Sequence, residues 1–97
     1  MADHGIDSLV IEEIRALARK HGVRRVILFG SRARGDYRRK SDIDLAVEGG
    51  DFPNFSLDVD EETSTLRLFD FIDMSEEVPL ALLAAIKKEG IVLYEQA

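Results

Sequence analysis

Gly30-Ser31-Arg32-Ala33-Arg34-Gly35, a gap of five residues, and then Ser41-Asp42-Ile43-Asp44-Leu45 form the stretch on which the reading of this chain turns. Just before it, Val23-Arg24-Arg25-Val26-Ile27-Leu28-Phe29 is apolar and β-branched, which predicts a buried strand ending at Gly30. Ser31 to about Tyr37 predicts a polar turn or short helix. Asp42 to Val47 alternates with period two and is stopped by Gly49-Gly50, the pattern of a second strand. Asp42 and Asp44 therefore leave the same face of that strand, about 6–7 Å apart along the chain. Two carboxylates aimed at one spot repel and need a compensating cation. Mg²⁺ suits them, because it takes one or two carboxylates and completes its shell with water and phosphate oxygens. In the Gly-Ser turn, backbone N–H groups can hold phosphate oxygens. Gly30 permits close approach there, Ser31 adds a hydroxyl, and Arg32 or Arg34 can neutralise a polyphosphate. A phosphate cradle beside a carboxylate-held metal is the layout of phosphoryl or nucleotidyl transfer.

Outward from this centre, Ile6, Leu9, Val10, Ile14, Leu17 and Ala18 recur at helical spacing, with Asp7 or Ser8 to cap and Gly22 to terminate. Phe52, Phe55 and Val59 suit a short helix, whereas Phe55, Leu57 and Val59 suit a strand, so residues 51–65 stay open. Leu66 to Asp73 predicts a third strand. Pro79, Lys87-Lys88 and Gly90 punctuate a helix, and Ile91 to Tyr94 a last short strand. Strands alternating with helices indicate an α/β or α+β fold. At 97 residues there is room for one core, so a single domain over 1–97 is expected.

The formal net charge of −6 argues against strong direct nucleic-acid binding. No apolar run is long enough to cross a membrane, and the first twenty residues carry no secretory h-region. The absence of cysteine removes disulfides and thiol chemistry. A cytoplasmic location is expected. The charge is also unevenly placed. Arg24 to Lys40 holds seven basic residues and one acid, and Asp51 to Glu77 holds nine acids and one base, Arg67. The acidic run Asp58 to Glu62 reads as an exposed face, and Arg38-Arg39-Lys40 as a solvated loop.

Two other chemistries fail. Gly30 to Gly35 has the glycine spacing of a P-loop, but Asp36-Tyr37 stands where Lys and Ser/Thr are required. Ser31 lacks a nucleophile-elbow context, and neither His4 nor His21 is placed as its base.

The pattern Gly-Ser-x-Ala-x-Gly followed by Ser-Asp-x-Asp-Leu resembles the signature of the DNA polymerase β-like nucleotidyltransferases. Over nearly its full length the chain resembles their smallest members, the minimal nucleotidyltransferase domain proteins. The resemblance implies a small mixed sheet of three to four strands flanked by helices. It implies that Asp42 and Asp44 hold two Mg²⁺ ions, and that a third carboxylate on a neighbouring strand shares one and helps deprotonate an acceptor hydroxyl. Asp70, flanked by Phe69, Phe71 and Ile72, is the preferred third member, and Asp73 the alternative. Gly30 and Ser31 would hold the phosphates of a nucleotide, ATP by preference, with Arg32, Arg34 and Ser41 as further nucleotide-binding candidates. Ser41 serves equally well as a turn residue.

Larger relatives carry an extra region for the acceptor, so the resemblance implies either a small acceptor or one brought by a partner. The minimal proteins commonly pair with a helical HEPN-domain toxin, so the resemblance implies an antitoxin that attaches AMP to its partner. The alternative is a catalytically idle nucleotide-binding module that neutralises the partner by contact.

Overall fold

The computed structural model describes residues 4–97, so residues 1–3 of the domain expected over 1–97 lie outside the described residues. The elements alternate as α1 (Ser8–Lys20), β1 (Arg25–Phe29), α2 (Gly30–Arg34), β2 (Ile43–Glu48), α3 (Phe52–Glu62), β3 (Phe69–Asp73), α4 (Leu80–Glu89) and β4 (Ile91–Glu95). The four strands form one mixed sheet in the order β3-β2-β1-β4. β1 pairs antiparallel with both β2 and β4, while β2 and β3 run parallel. Among the described residues no helix is long and apolar enough to cross a membrane.

Period-two alternation sends the strand side chains to two faces. Val26, Leu28, Leu45 and Val47 pack with Val10, Ile14 and Ala18 of α1 and Phe55 and Val59 of α3. Ile27, Phe29 and Ala46 form a smaller cluster with Ile86 of α4. Asp44 has the same parity as Ala46 and therefore points to the α4 side. The helix starts follow side-chain chemistry: Asp7 accepts the Leu9 N–H at 2.9 Å, and Asp51 accepts from Asn54. Residues 52–62 are helical, the first of the two readings. Phe55 and Val59 are fully buried, whereas Leu57, which a strand would have turned inward with them, is 51% exposed.

The third strand is shorter than Leu66 to Asp73. β2 begins at Ile43, whose strand partner is Phe69, so residues 66–68 have no neighbouring strand to extend along. Leu66 and Leu68 are left 92% and 71% exposed.

Asp58 also departs from the exposed acidic face expected of its run. Its carboxylate lies 2.6 Å from His21 Nε2 and 3.7 Å from Lys20 Nζ, tying α3 to the end of α1. The hydrogen bond from His21, helped by the charge of Lys20, holds the Asp58 carboxyl below the ordinary range. A carboxyl with a depressed folded pKa adds stability that is present above its unfolded pKa and is lost as pH falls through the folded value. We predict that Asp58→Asn flattens the acid limb of a plot of melting temperature against pH. An acid limb as steep as that of the parent would show that this latch carries no stability.

Candidate active site

The pairing of three strands assembles the acidic centre. Phe29, the last residue of β1, lies opposite Asp44, and Asp44 lies beside Asp70 in the parallel pair. Gly30 follows with φ +76°, a conformation that side-chain-bearing residues rarely adopt. The Asp44 carboxylate lies so close to this glycine that a Cβ there would collide with Oδ2. The Gly-Ser turn and the second aspartate of Asp-x-Asp are thus in direct contact, although fourteen positions separate Gly30 from Asp44.

Asp44 is half-buried, while Asp42 and Asp70 are exposed. Burial, then the charge of Asp70, then that of Asp42 push the Asp44 carboxyl above its ordinary pKa, against the opposing charge of Arg34. Asp70 and Asp42 therefore both act electrostatically on Asp44. Among the described residues no group of three or more His, Asp or Glu side chains is placed to hold a metal ion. Mg²⁺ does not require such a group, since it binds through one or two carboxylates with water and phosphate completing the shell. Hard oxygen donors, mutual repulsion and the tight carboxylate–glycine contact make this donor set a fit for Mg²⁺.

Asp73 is placed differently. Its Oδ1 accepts from the Ser75 N–H at 3.0 Å and the Ser75 hydroxyl at 2.7 Å, closing the turn after β3. It pairs with Val47, three positions along the ladder from Asp44.

The remaining nucleotide-binding candidates divide. The Ser31 backbone carbonyl accepts from the N–H groups of Gly35 and Asp36, closing the short helix. Arg34 is exposed and held by Asp36 at 3.2 Å and Glu89 at 3.0 Å. Arg32 departs from its expected role as a phosphate ligand. It is 2% exposed, and its guanidinium donates to the carbonyls of Ser41 (2.9 and 3.1 Å), His4 (3.0 Å) and Arg39 (3.4 Å). Two positions along a helix turn a side chain by about 200°, so Arg32 and Arg34 face opposite ways. Ser41 is likewise engaged in its turn, its hydroxyl oxygen accepting the Arg38 N–H at 2.8 Å.

Two residues near the centre escaped the sequence reading. Glu89, at the end of α4, fixes Arg34, and no local pattern marks it. Arg67 donates to the Arg39 carbonyl at 3.1 Å and precedes Asp70 by three positions. Its signal was available, as the one base in the acidic run.

The family model described as Polymerase beta, Nucleotidyltransferase matches residues 12–97. No curated protein matches the chain. Among solved structures, a toxin–antitoxin with AMP-PNP is similar at 23% identity and a TM-score of 0.69, covering 89% of this chain and 73% of that one. A mutant of the toxin–antitoxin MntA–HpeT is similar at 21% identity and TM-score 0.68, with the same coverages. A second MntA–HpeT mutant gives 22% and 0.67, covering 88% of this chain and 72% of that one. At these identities the likeness to solved structures is one of fold.

Proposed function

Because the chain belongs to the polymerase beta nucleotidyltransferase family, we propose that it transfers AMP from ATP to a hydroxyl on a small helical HEPN-type toxin, as a cytoplasmic antitoxin. The observation that carries the reading is the packing of the Asp44 carboxylate against Gly30 with Asp70 beside it. Phosphate-binding turn and acidic centre then address one substrate. The partner is argued from the similar toxin–antitoxin structures, one of them with AMP-PNP.

In this reading Gly30 and Ser31 receive the β- and γ-phosphates, and Arg34, steadied by Glu89, balances their charge. Asp42 and Asp44, with Asp70, would hold Mg²⁺, which supplies charge neutralisation at the attacking and leaving oxygens. Asp70 lies on the edge strand, where an acceptor can approach from outside the sheet, and takes the hydroxyl proton. The acceptor oxygen bonds to the α-phosphorus as the bond to the bridging oxygen breaks, and pyrophosphate leaves.

The test uses ATP labelled at the α-phosphate, Mg²⁺ and the purified helical partner. Label is expected to move onto the partner and to stay in ATP when EDTA is added. Transfer that persists in EDTA would sink the metal assignment. A neutralised partner that carries no label would instead identify a module acting by contact alone.

A further inference from the structure

A hollow of about 510 Å³ is lined by Gly5, Arg32, Tyr37, Arg39 and Arg67. Three of these residues are arginines, and none has a carboxylate partner among the described residues. Arg32 is the most unusual of them, because buried charges are normally paired with an opposite charge. Here carbonyl dipoles and the Tyr37 ring, 4.8 Å from the guanidinium carbon, stand in for a carboxylate. Arg32 and Arg67 both donate to the single carbonyl oxygen of Arg39, so the two cations converge. The Arg39 guanidinium itself makes no bond to a described residue. Three arginines around one concavity, with no carboxylate partner among the described residues, suit an anionic ligand.

We propose that this hollow binds a phosphate group, distinct from the triphosphate turn at Gly30. Arg39 and Arg67 make the contacts, since planar guanidinium forks match phosphate oxygens in pairs. Arg32 forms a fixed positive floor. The site goes beyond the transfer reaction and does not depend on it. Arg39 lies three positions before Asp42 and Arg67 three positions before Asp70, so one bound phosphate ties together the segments that lead into two of the three aspartates. Two sources carry the same chemistry: free pyrophosphate, and the terminal phosphate of an RNA strand.

The test is an NMR titration of the full chain with pyrophosphate in metal-free buffer. Saturable shifts are expected at Tyr37, Arg39 and Arg67. Affinity should fall at least tenfold in Arg39→Gln/Arg67→Gln, whose altered side chains are not part of the core, and should persist in Asp42→Asn/Asp44→Asn. Shifts confined to Gly30, Ser31 and Arg34, or undiminished affinity in the arginine variant, would overturn the proposal. Competition separates the sources. Displacement of pyrophosphate by a 5′-phosphorylated oligoribonucleotide, and not by its 5′-hydroxyl twin, assigns the site to an RNA end. Retention of pyrophosphate against both assigns it to the free anion.

Discussion

Asp42→Asn/Asp44→Asn is expected to lower nucleotidyl transfer by about a thousandfold or more while leaving the metal-free protein at least as stable as its parent. The two halves of this expectation have one cause. Asp44 ionises against burial and against two neighbouring carboxylates, so its folded pKa lies above the unfolded one. The folded state therefore holds that proton longer. Stability of the metal-free parent should fall as pH rises from the ordinary carboxylate range through the raised value. An amide at position 44 does not ionise and removes this slope. Added Mg²⁺ should raise the melting temperature of the parent, because anything that binds only the folded state stabilises it, and should leave the double variant unmoved. Melting curves across pH, with and without Mg²⁺, separate the cases. A double variant that melts well below its parent in metal-free buffer would show that these carboxylates support the fold rather than strain it.

Gly30→Ala is the second large effect, and it acts on fold and site together. Alanine at φ +76° carries intrinsic strain, and its methyl group would occupy the space of Asp44 Oδ2. The strand end or the carboxylate must give way. We expect a loss of roughly 2–4 kcal/mol, or about 10–20 °C in melting temperature for a domain of this size, with ATP binding abolished. A double-mutant cycle tests the stated contact. Adding Asp44→Ala to the Gly30→Ala background removes the colliding atoms and should restore part of the loss, the remainder being backbone strain. Strictly additive effects would place the damage elsewhere.

Outside residues 51–65, the order of elements was legible in the sequence because its signals were local. Asp42 to Val47 alternates with period two, and Pro79 and Gly90 punctuate a helix by backbone chemistry alone. Illegible features depended on a neighbour. Leu66 and Leu68 look like strand residues, yet a strand begins only where its partner offers a ladder, and β2 offers none before Ile43. Residues 52–59 carried two apolar periods at once, and only the exposure of Leu57 separates them. In the candidate site, the contact between Gly30 and Asp44 joins the Gly-Ser turn to the Asp-x-Asp segment that the sequence had marked together. The contrast between Arg32 and Arg34 could not be read there, because the same residue type occupies both and only the packing around α2 decides which one turns inward. Asp58 illustrates the same limit, its neighbour His21 being distant in sequence.

β3 is an edge strand, held to the sheet along one side, whereas β2 is held along both. The acidic centre is therefore shared between a strand that opens only with the whole sheet and one that can peel away at lower free energy. A ligand that bridges Asp44 and Asp70 adds a cross-tie over that single seam, and by mass action its occupancy is registered as cohesion of the sheet margin. Substrate loading and the closing of this margin are then one equilibrium seen from two sides.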